Sequence, residues 1–424
     1  MGTLPRLAAL AIWICPLASP QVVVDSRRAA ELLAQLDPTA NNSLQCEIMP
    51  VAPALTFSFR FQAGYLARVP LHQFHGPGHS LSMLIRVTPA FGSQPIYLLR
   101  TFDLPDVPDT ELAADLAGGF FVGEGIYQSN AILFDDIHRA CRGDWRIEVR
   151  SGRTERNRLL IPPNEVAAIS AAGSGPPKSG APGPANRMTI LLHAASLNPG
   201  NLKLQARDVV TMIGSLAALL EELPAHSVRL VIFNLHMENE LYRNDAFTAG
   251  DLEQVTRVLD SMQLGMVDYR ALQRPQAERE VLRNLIHREV NEANRSSNVI
   301  FIGPDGSYGR DNPAAPEDTP APGQRFFYLQ FQSDGPLFAA TRAVPSIMIE
   351  PRPPIPCQNV STDPCGPTPP NTTAPPALIR EASRTGSDSE AIAAVIRKLK
   401  GRVLLVRTPA DFGKAVDRIG EPGR

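Results

Sequence analysis

The chain has 424 residues, 43% of them hydrophobic, with 41 basic side chains set against 43 acidic ones. That apolar fraction excludes wholesale disorder, and a net charge of −2 supplies no electrostatic drive toward nucleic acid or an anionic membrane. At ~100–200 residues per domain the length suggests two domains or three. Proline, with 40 residues, is well above its usual ~5%. It concentrates in two stretches, six in 162–184 and seventeen in 304–376, where no regular ladder or helix is expected.

Residues 1–20 read as an export signal. Arg6 and the terminal amine form a positive start, residues 7–18 (LAALAIWICPLA) an apolar run, and small residues surround Ala18 and Ser19. The run is shorter than the ~20 residues a membrane span needs. The expectation is a soluble mature chain starting near Pro20 and exported, periplasmic or secreted. Removal of Cys15 with the signal leaves Cys46, Cys141, Cys357 and Cys365. An even number in an exported chain favours disulfides, and no CxxC pair points to metal. Three connectivities are open. Cys357 and Cys365 share one irregular loop, which favours their pairing and leaves Cys46 with Cys141.

A short helical segment, 21–43, is built on the amphipathic run 26–36 (SRRAAELLAQL). Between 44 and 160 the pattern changes to short β-rich segments at 54–61, 80–88, 96–102, 125–134 and 145–150, separated mostly by Gly, Pro and Asp. That spacing predicts an all-β, sandwich-like domain. Residues 161–187 are dense in Pro, Gly and Ala and read as a linker. From 188 to 424 strands alternate with helices: strand 188–193, helix 203–223, strand 228–236 with a returning edge at 240–243, helices 251–262 and 276–291, strands 298–303 and 324–331. A closing helix–strand–helix unit occupies 387–400, 402–406 and 409–419. This is the rhythm of an α/β domain with a parallel sheet covered on both faces. A Pro-rich insertion at 336–376 interrupts it.

Several groups invite a chemical reading. His72, His75 and His79 (HQFHGPGHS) place three imidazoles in eight residues, a spacing able to supply Zn²⁺ or Cu²⁺ ligands. A solvated Gly/Pro loop is the simpler expectation. Ser196 lies near His193, but no Gly-x-Ser-x-Gly elbow exists and no catalytic residue is assigned. Residues 118–125 (GGFFVGEG) lack the strand–turn–helix setting of a phosphate loop and read as a turn beside Phe120 and Phe121. Asp135 and Asp136 read as a turn between strands. The charges of 279–292 read as the solvated face of an amphipathic helix.

The order of the second domain resembles the von Willebrand factor type A (VWA) fold: the strand MTILLH, a long helix, VRLVIFNLHMENELYR as strand and returning edge, the strand VIFIGPDG, and the unit GRVLLVRTPADFGKAVDRI. The resemblance implies a doubly wound, Rossmann-type parallel sheet over residues 188–419. It also implies a divalent-metal adhesion site carried by Asp-x-Ser-x-Ser after the first strand, with a Thr and an Asp from later loops. Here the first motif is His193-Ala194-Ala195-Ser196-Leu197. The region 265–269 (GMVDY), with Asp268, offers no Thr, and only Asp305 of Pro304-Asp305-Gly306 is kept. One carboxylate does not hold Mg²⁺ or Ca²⁺, which take several oxygens. The layout is similar to exported bacterial VWFA-related proteins with a degenerate metal motif. The expectation is therefore a non-enzymatic, cofactor-free interaction or adhesion protein with a protein or cell-envelope partner. Binding is expected at the carboxyl ends of the strands: His193, Ser196, His236, Asp268, Asp305 and Ser307. The alternatives are a metal-binding protein or metal-dependent enzyme using His72, His75 and His79, and a carbohydrate-binding sandwich.

Overall fold

The structure, a computed structural model, describes residues 21–36, 43–92, 94–107, 110–169, 187–198, 201, 204–223, 225–262, 277–291, 295–304, 319–332, 347–350 and 391–421. Residues 1–20, read above as an export signal, and Cys357 and Cys365, expected to pair, lie outside the described residues. Among those described, no helix is long and apolar enough to cross a membrane.

Three sheets organise the chain: two antiparallel sheets and one mixed sheet flanked by helices. The first antiparallel sheet has the order β1 (Val22–Val24), β5 (Ile96–Asp103), β4 (Ser80–Pro89), β7 (Gly125–Asp135), β8 (Ala140–Val149). The second contains β6 (Ala113–Val122), β3 (Phe61–Pro70) and β2 (Glu47–Leu55). Strand alternation sorts their side chains. Leu81, Met83, Ile85 and Val87 of β4 face Phe61, Ala63, Tyr65, Ala67 and Val69 of β3 across one buried core, while Arg86 points outward. On the opposite face of the first sheet, α1 (Ser26–Ala34) packs against Leu84 and Phe134 through Ala29, Leu32 and Leu33. Asp25 caps this helix by accepting from the Arg28 amide at 2.7 Å. Cys46, just before β2, is disulfide-bonded to Cys141 of β8, with Cα atoms 6.0 Å apart. The bond ties the edge of one sheet to the edge of the other.

Two segments differ from the sequence reading here. Residues 54–61 are not a strand but the end of β2, a turn and the start of β3. Residues 118–122 are not a turn but the buried end of β6. β6 is rich in Ala and Gly because Tyr65 of β3 lies across it: a Cβ at Gly118 would run into the Tyr65 ring. The linker also begins later than expected, since β9 (Val166–Ala168) pairs with β6. Farther along the chain, β15 (Ile347–Glu350), from within the Pro-rich insertion, pairs antiparallel with residues 113–116 of β6.

The mixed sheet has the order β12 (Asn239–Asn244), β11 (Ser227–Asn234), β10 (Arg187–His193), β13 (Asn298–Pro304), β14 (Arg325–Phe331), β16 (Arg402–Val406). All neighbours are parallel except β12, the returning edge, which runs antiparallel to β11. The central strands read as unbroken apolar runs because both faces are covered. On one face lie α3 (Ala206–Glu222), α4 (Leu252–Asp260) and α7 (Pro409–Gly420). On the other lie α5 (Ala277–Asn291) and α6 (Ala391–Lys398). Thr408 caps α7 from ahead of Pro409 by accepting from the Asp411 amide.

The β2–β3 turn joins this second core. Phe57 packs edge-on against Phe331 (5.4 Å between centroids) and Phe412 (5.8 Å), and Phe59 lies tilted against Phe412 (5.6 Å). Behind them Arg60 donates to Glu221 of α3 at 2.8 Å with both side chains buried. Arg158, just past α2 (Arg153–Arg156), stacks over Phe59 and pairs with Asp417 of α7. Phe59 holds φ = 53°, a left-handed conformation that costs a bulky residue of order 1–2 kcal/mol. Burial in the neighbouring core offsets that cost. The sandwich and the mixed sheet therefore share a core through the turn.

Candidate functional site

In an open α/β sheet, the strand-end crevice forms where the strand order reverses. Here that point lies between β10 and β13, which end at His193 and Pro304. His193 is buried, stacks on Phe233 of β11 (5.3 Å, 21° between planes) and donates through Nδ1 to the Pro304 carbonyl at 2.9 Å. Gly303, at φ = 134°, passes so close that a Cβ would meet the His193 carbonyl. The imidazole is thus held between the ends of β10, β11 and β13. Burial pushes its pKa down to about 4, against which the Pro304 hydrogen bond works only in part, so the ring is neutral.

Ser196, in the loop after β10, turns to α3. Its Oγ donates to Asp208 Oδ2 at 3.0 Å and accepts from the Asn198 amide at 3.2 Å. The same carboxylate oxygen takes the Gln205 amide at 2.9 Å, closing the first turn of the helix. Burial raises the Asp208 carboxyl above its ordinary range despite these bonds. Asn234, at the end of β11, donates to Ala194 O at 2.6 Å and accepts from the Met237 amide at 2.7 Å. This pins the next turn, which presents His236 and the 39% exposed Met237 to solvent.

A serine hydrolase needs its hydroxyl against an imidazole. Ser196 bonds Asp208 instead, and His193 bonds Pro304. His193 and Ser196 are brought to one strand-end edge with His236, two of them buried and one exposed. Asp268, Asp305 and Ser307 lie outside the described residues. Asp208 and Asn234 were not legible as site residues. Asp208 carries a local signal, an acid three residues after a helix start, but Asn234 has none.

The histidine loop is dispersed. His72 lies on the 3₁₀ turn Leu71–Gln73. His79 bonds the His75 carbonyl through Nε2 (3.0 Å) and Asp136 through Nδ1 (3.4 Å), with its ring against Phe74. Among the described residues no three His, Cys, Asp or Glu side chains gather as a metal site. Asp135 makes the turn: it accepts from the amides of Ile137 and Arg139 and from Arg139 Nε. The helix read as a solvated charged face hides one exception. Glu289 is 1% exposed, takes the Thr189 hydroxyl at 2.8 Å and pairs with Arg229 at 3.3 Å.

The state of His193 has a measurable consequence. An unfolded imidazole titrates near ~6.5, so between that value and about 4 the unfolded chain binds a proton the folded chain refuses. This contribution to stability is complete above ~6.5 and is lost as pH falls toward about 4, by roughly 3 kcal/mol in all. Asp208, raised when folded, acts in the opposite direction, so the comparison must be between variants. In urea titrations at pH 7 and pH 4.5, His193→Asn is expected to lose about 2 kcal/mol less stability on acidification than the parent. Equal losses would refute the neutral buried imidazole.

Comparison with known proteins finds no matching family model, no significantly similar curated protein and no significantly similar solved structure.

Proposed function

We propose that this chain is an exported, non-enzymatic interaction protein whose mixed-sheet region is a VWA-like domain with its metal site replaced by packing. The observation that carries the reading is the crevice between β10 and β13. The position of the first metal ligand in the resembling motif is taken by His193, neutral and bonded to the Pro304 carbonyl. Ser196, three residues on, is committed to Asp208. The antiparallel returning edge β12 supports the same reading, as does the Cys46–Cys141 bond, which favours an oxidising compartment. Contact with a partner then falls to the exposed turn of His236 and Met237, beside the buried His193.

Two measurements test this. Site-specific photo-crosslinking from Met237 in cells is expected to give a discrete protein adduct that position Gln128, exposed on the outer face of β7, does not give. Identical or absent adducts would argue against a partner at this edge. Thermal melting in Mg²⁺, Ca²⁺ or Zn²⁺ against EDTA is expected to shift Tm by less than about 1 °C. A ligand present at 100 times its Kd would add about 2.7 kcal/mol and a shift of several degrees. Such a shift would restore the metal-binding alternative.

A further inference from the structure

On the outer face of the first antiparallel sheet, beside the carboxyl end of α1, lies a half-open cavity of about 440 Å³. Its size falls in the ~300–1,000 Å³ range of small-molecule sites. The floor is apolar: Leu84 of β4 and Ile132 of β7 stand side by side in register, and Leu33 and Leu36 close the helical side. The other side is cationic. Arg142 of β8 pairs in register with Ile132, and Arg86 of β4 pairs with Asn130 on the next rung. Arg86 stacks over the Tyr97 ring at 6.0 Å, which holds its guanidinium at the rim.

Charge distinguishes this groove from an ordinary sheet face. Among the described residues, none that lines the groove is acidic. Neither Arg86 nor Arg142 makes an ion pair among the described residues, although most arginines of the sandwich do: Arg68 with Asp115, Arg139 with Asp135, Arg156 with Glu124. The carboxylate of the neighbouring rung, Asp144 opposite Asn130, pairs with neither. An apolar trough ending in two guanidinia with no carboxylate partner among the described residues, and an amide, matches one ligand shape, a hydrocarbon body with an anionic head. Guanidinium groups favour a planar carboxylate, which they bind through paired N–H donors.

We propose that this groove is a binding site for a small amphipathic carboxylate, with the alkyl chain along Leu84, Ile132 and the end of α1 and the head group between Arg86 and Arg142. The site is separate from the strand-end edge of the mixed sheet and does not depend on the reading given to that edge.

Calorimetric titration of the purified chain with decanoate and with decanol tests it. Decanoate is expected to bind saturably at one site and decanol at least about tenfold more weakly, since only the acid engages the guanidinia. The double variant Arg86→Gln/Arg142→Gln is expected to weaken decanoate at least about tenfold and leave decanol unchanged. Both side chains are exposed and make no ion pair among the described residues, so beyond the Arg86–Tyr97 stacking little is lost and its melting temperature should stay within a few degrees of the parent's. Ile132→Asp is expected to abolish binding of both compounds. Absence of saturable decanoate binding below about 1 mM would overturn the proposal. So would equal affinity for acid and alcohol, or binding that survives loss of both arginines.

Discussion

Loss of the Cys46–Cys141 bond is expected to cost about 4–5 kcal/mol. The two residues are 95 positions apart, and cross-linking a loop of ~100 residues removes denatured-state entropy worth about 4.7 kcal/mol in the chain-entropy model, within a measured range of ~0–5. Two features place this bond toward the upper end. It ties the residue before β2 of one sheet to β8 of the other, so without it the contacts along that open side must be held by packing alone, Ile48 beside Gly143 among them. Both half-cystines also pack against the sandwich core, where a pair of thiols or serines fits less well. Against this, the core itself is large, and the strands on either side remain hydrogen-bonded to β3 and β7. Cys46→Ser/Cys141→Ser should therefore fold, at reduced stability, rather than fail to fold. Urea unfolding of this variant beside the oxidised parent measures the difference, and reduced parent in dithiothreitol should coincide with the variant. A loss below about 1 kcal/mol would mean that the denatured chain already keeps these strands together.

The elements that could be read from the sequence are those whose period survives local inspection. The alternation of 80–88 and the apolar runs 188–193, 228–236 and 298–303 appear as β4, β10, β11 and β13. The elements that could not be read are those decided by a distant partner. β6 looks like a glycine turn because its small residues exist to admit Tyr65 from another strand. Residues 54–61 alternate as a strand would, with Leu55, Phe57, Phe59 and Phe61 at period two. Phe57 and Phe59 nevertheless belong to a turn buried in a core that begins more than a hundred residues later. The site follows the same division. His193 and Ser196 lie three residues apart and were legible as strand-end residues. That one is held by Pro304 and the other by Asp208 depends on packing no single stretch of sequence displays. Glu289 was hidden for the opposite reason: its helix is charged on average, and one carboxylate of the set is turned inward to Thr189 and Arg229.

Arg60→Ala is the second substitution of large expected effect, about 3–5 kcal/mol. Arg60 and Glu221 are 6% and 8% exposed, and their 2.8 Å bond is the ion pair at the base of the turn that carries Phe57 and Phe59. Removing the guanidinium leaves a buried carboxylate without its cation, which costs several times more than the net worth of the pair. It also withdraws a donor from the Ser58 carbonyl at 3.2 Å and a cation from over the Phe121 ring. The double replacement Arg60→Met/Glu221→Leu separates these effects. It keeps volume and removes both charges, and is expected to recover most of the loss, since a well-packed apolar pair is often neutral or better than a buried ion pair. Chemical unfolding followed by two probes makes the test specific to the shared core. Trp145 lies on β8 and reports the sandwich by fluorescence, while helical circular dichroism is dominated by the helices flanking the mixed sheet. In the parent the two transitions should coincide, because the turn that fixes Phe59 at φ = 53° is held by both cores at once. In Arg60→Ala they should separate, and in the double variant they should merge again. Coincident transitions in the single variant, at a cost under about 1 kcal/mol, would show that the aromatic contacts with Phe331 and Phe412 couple the two sheets without the ion pair.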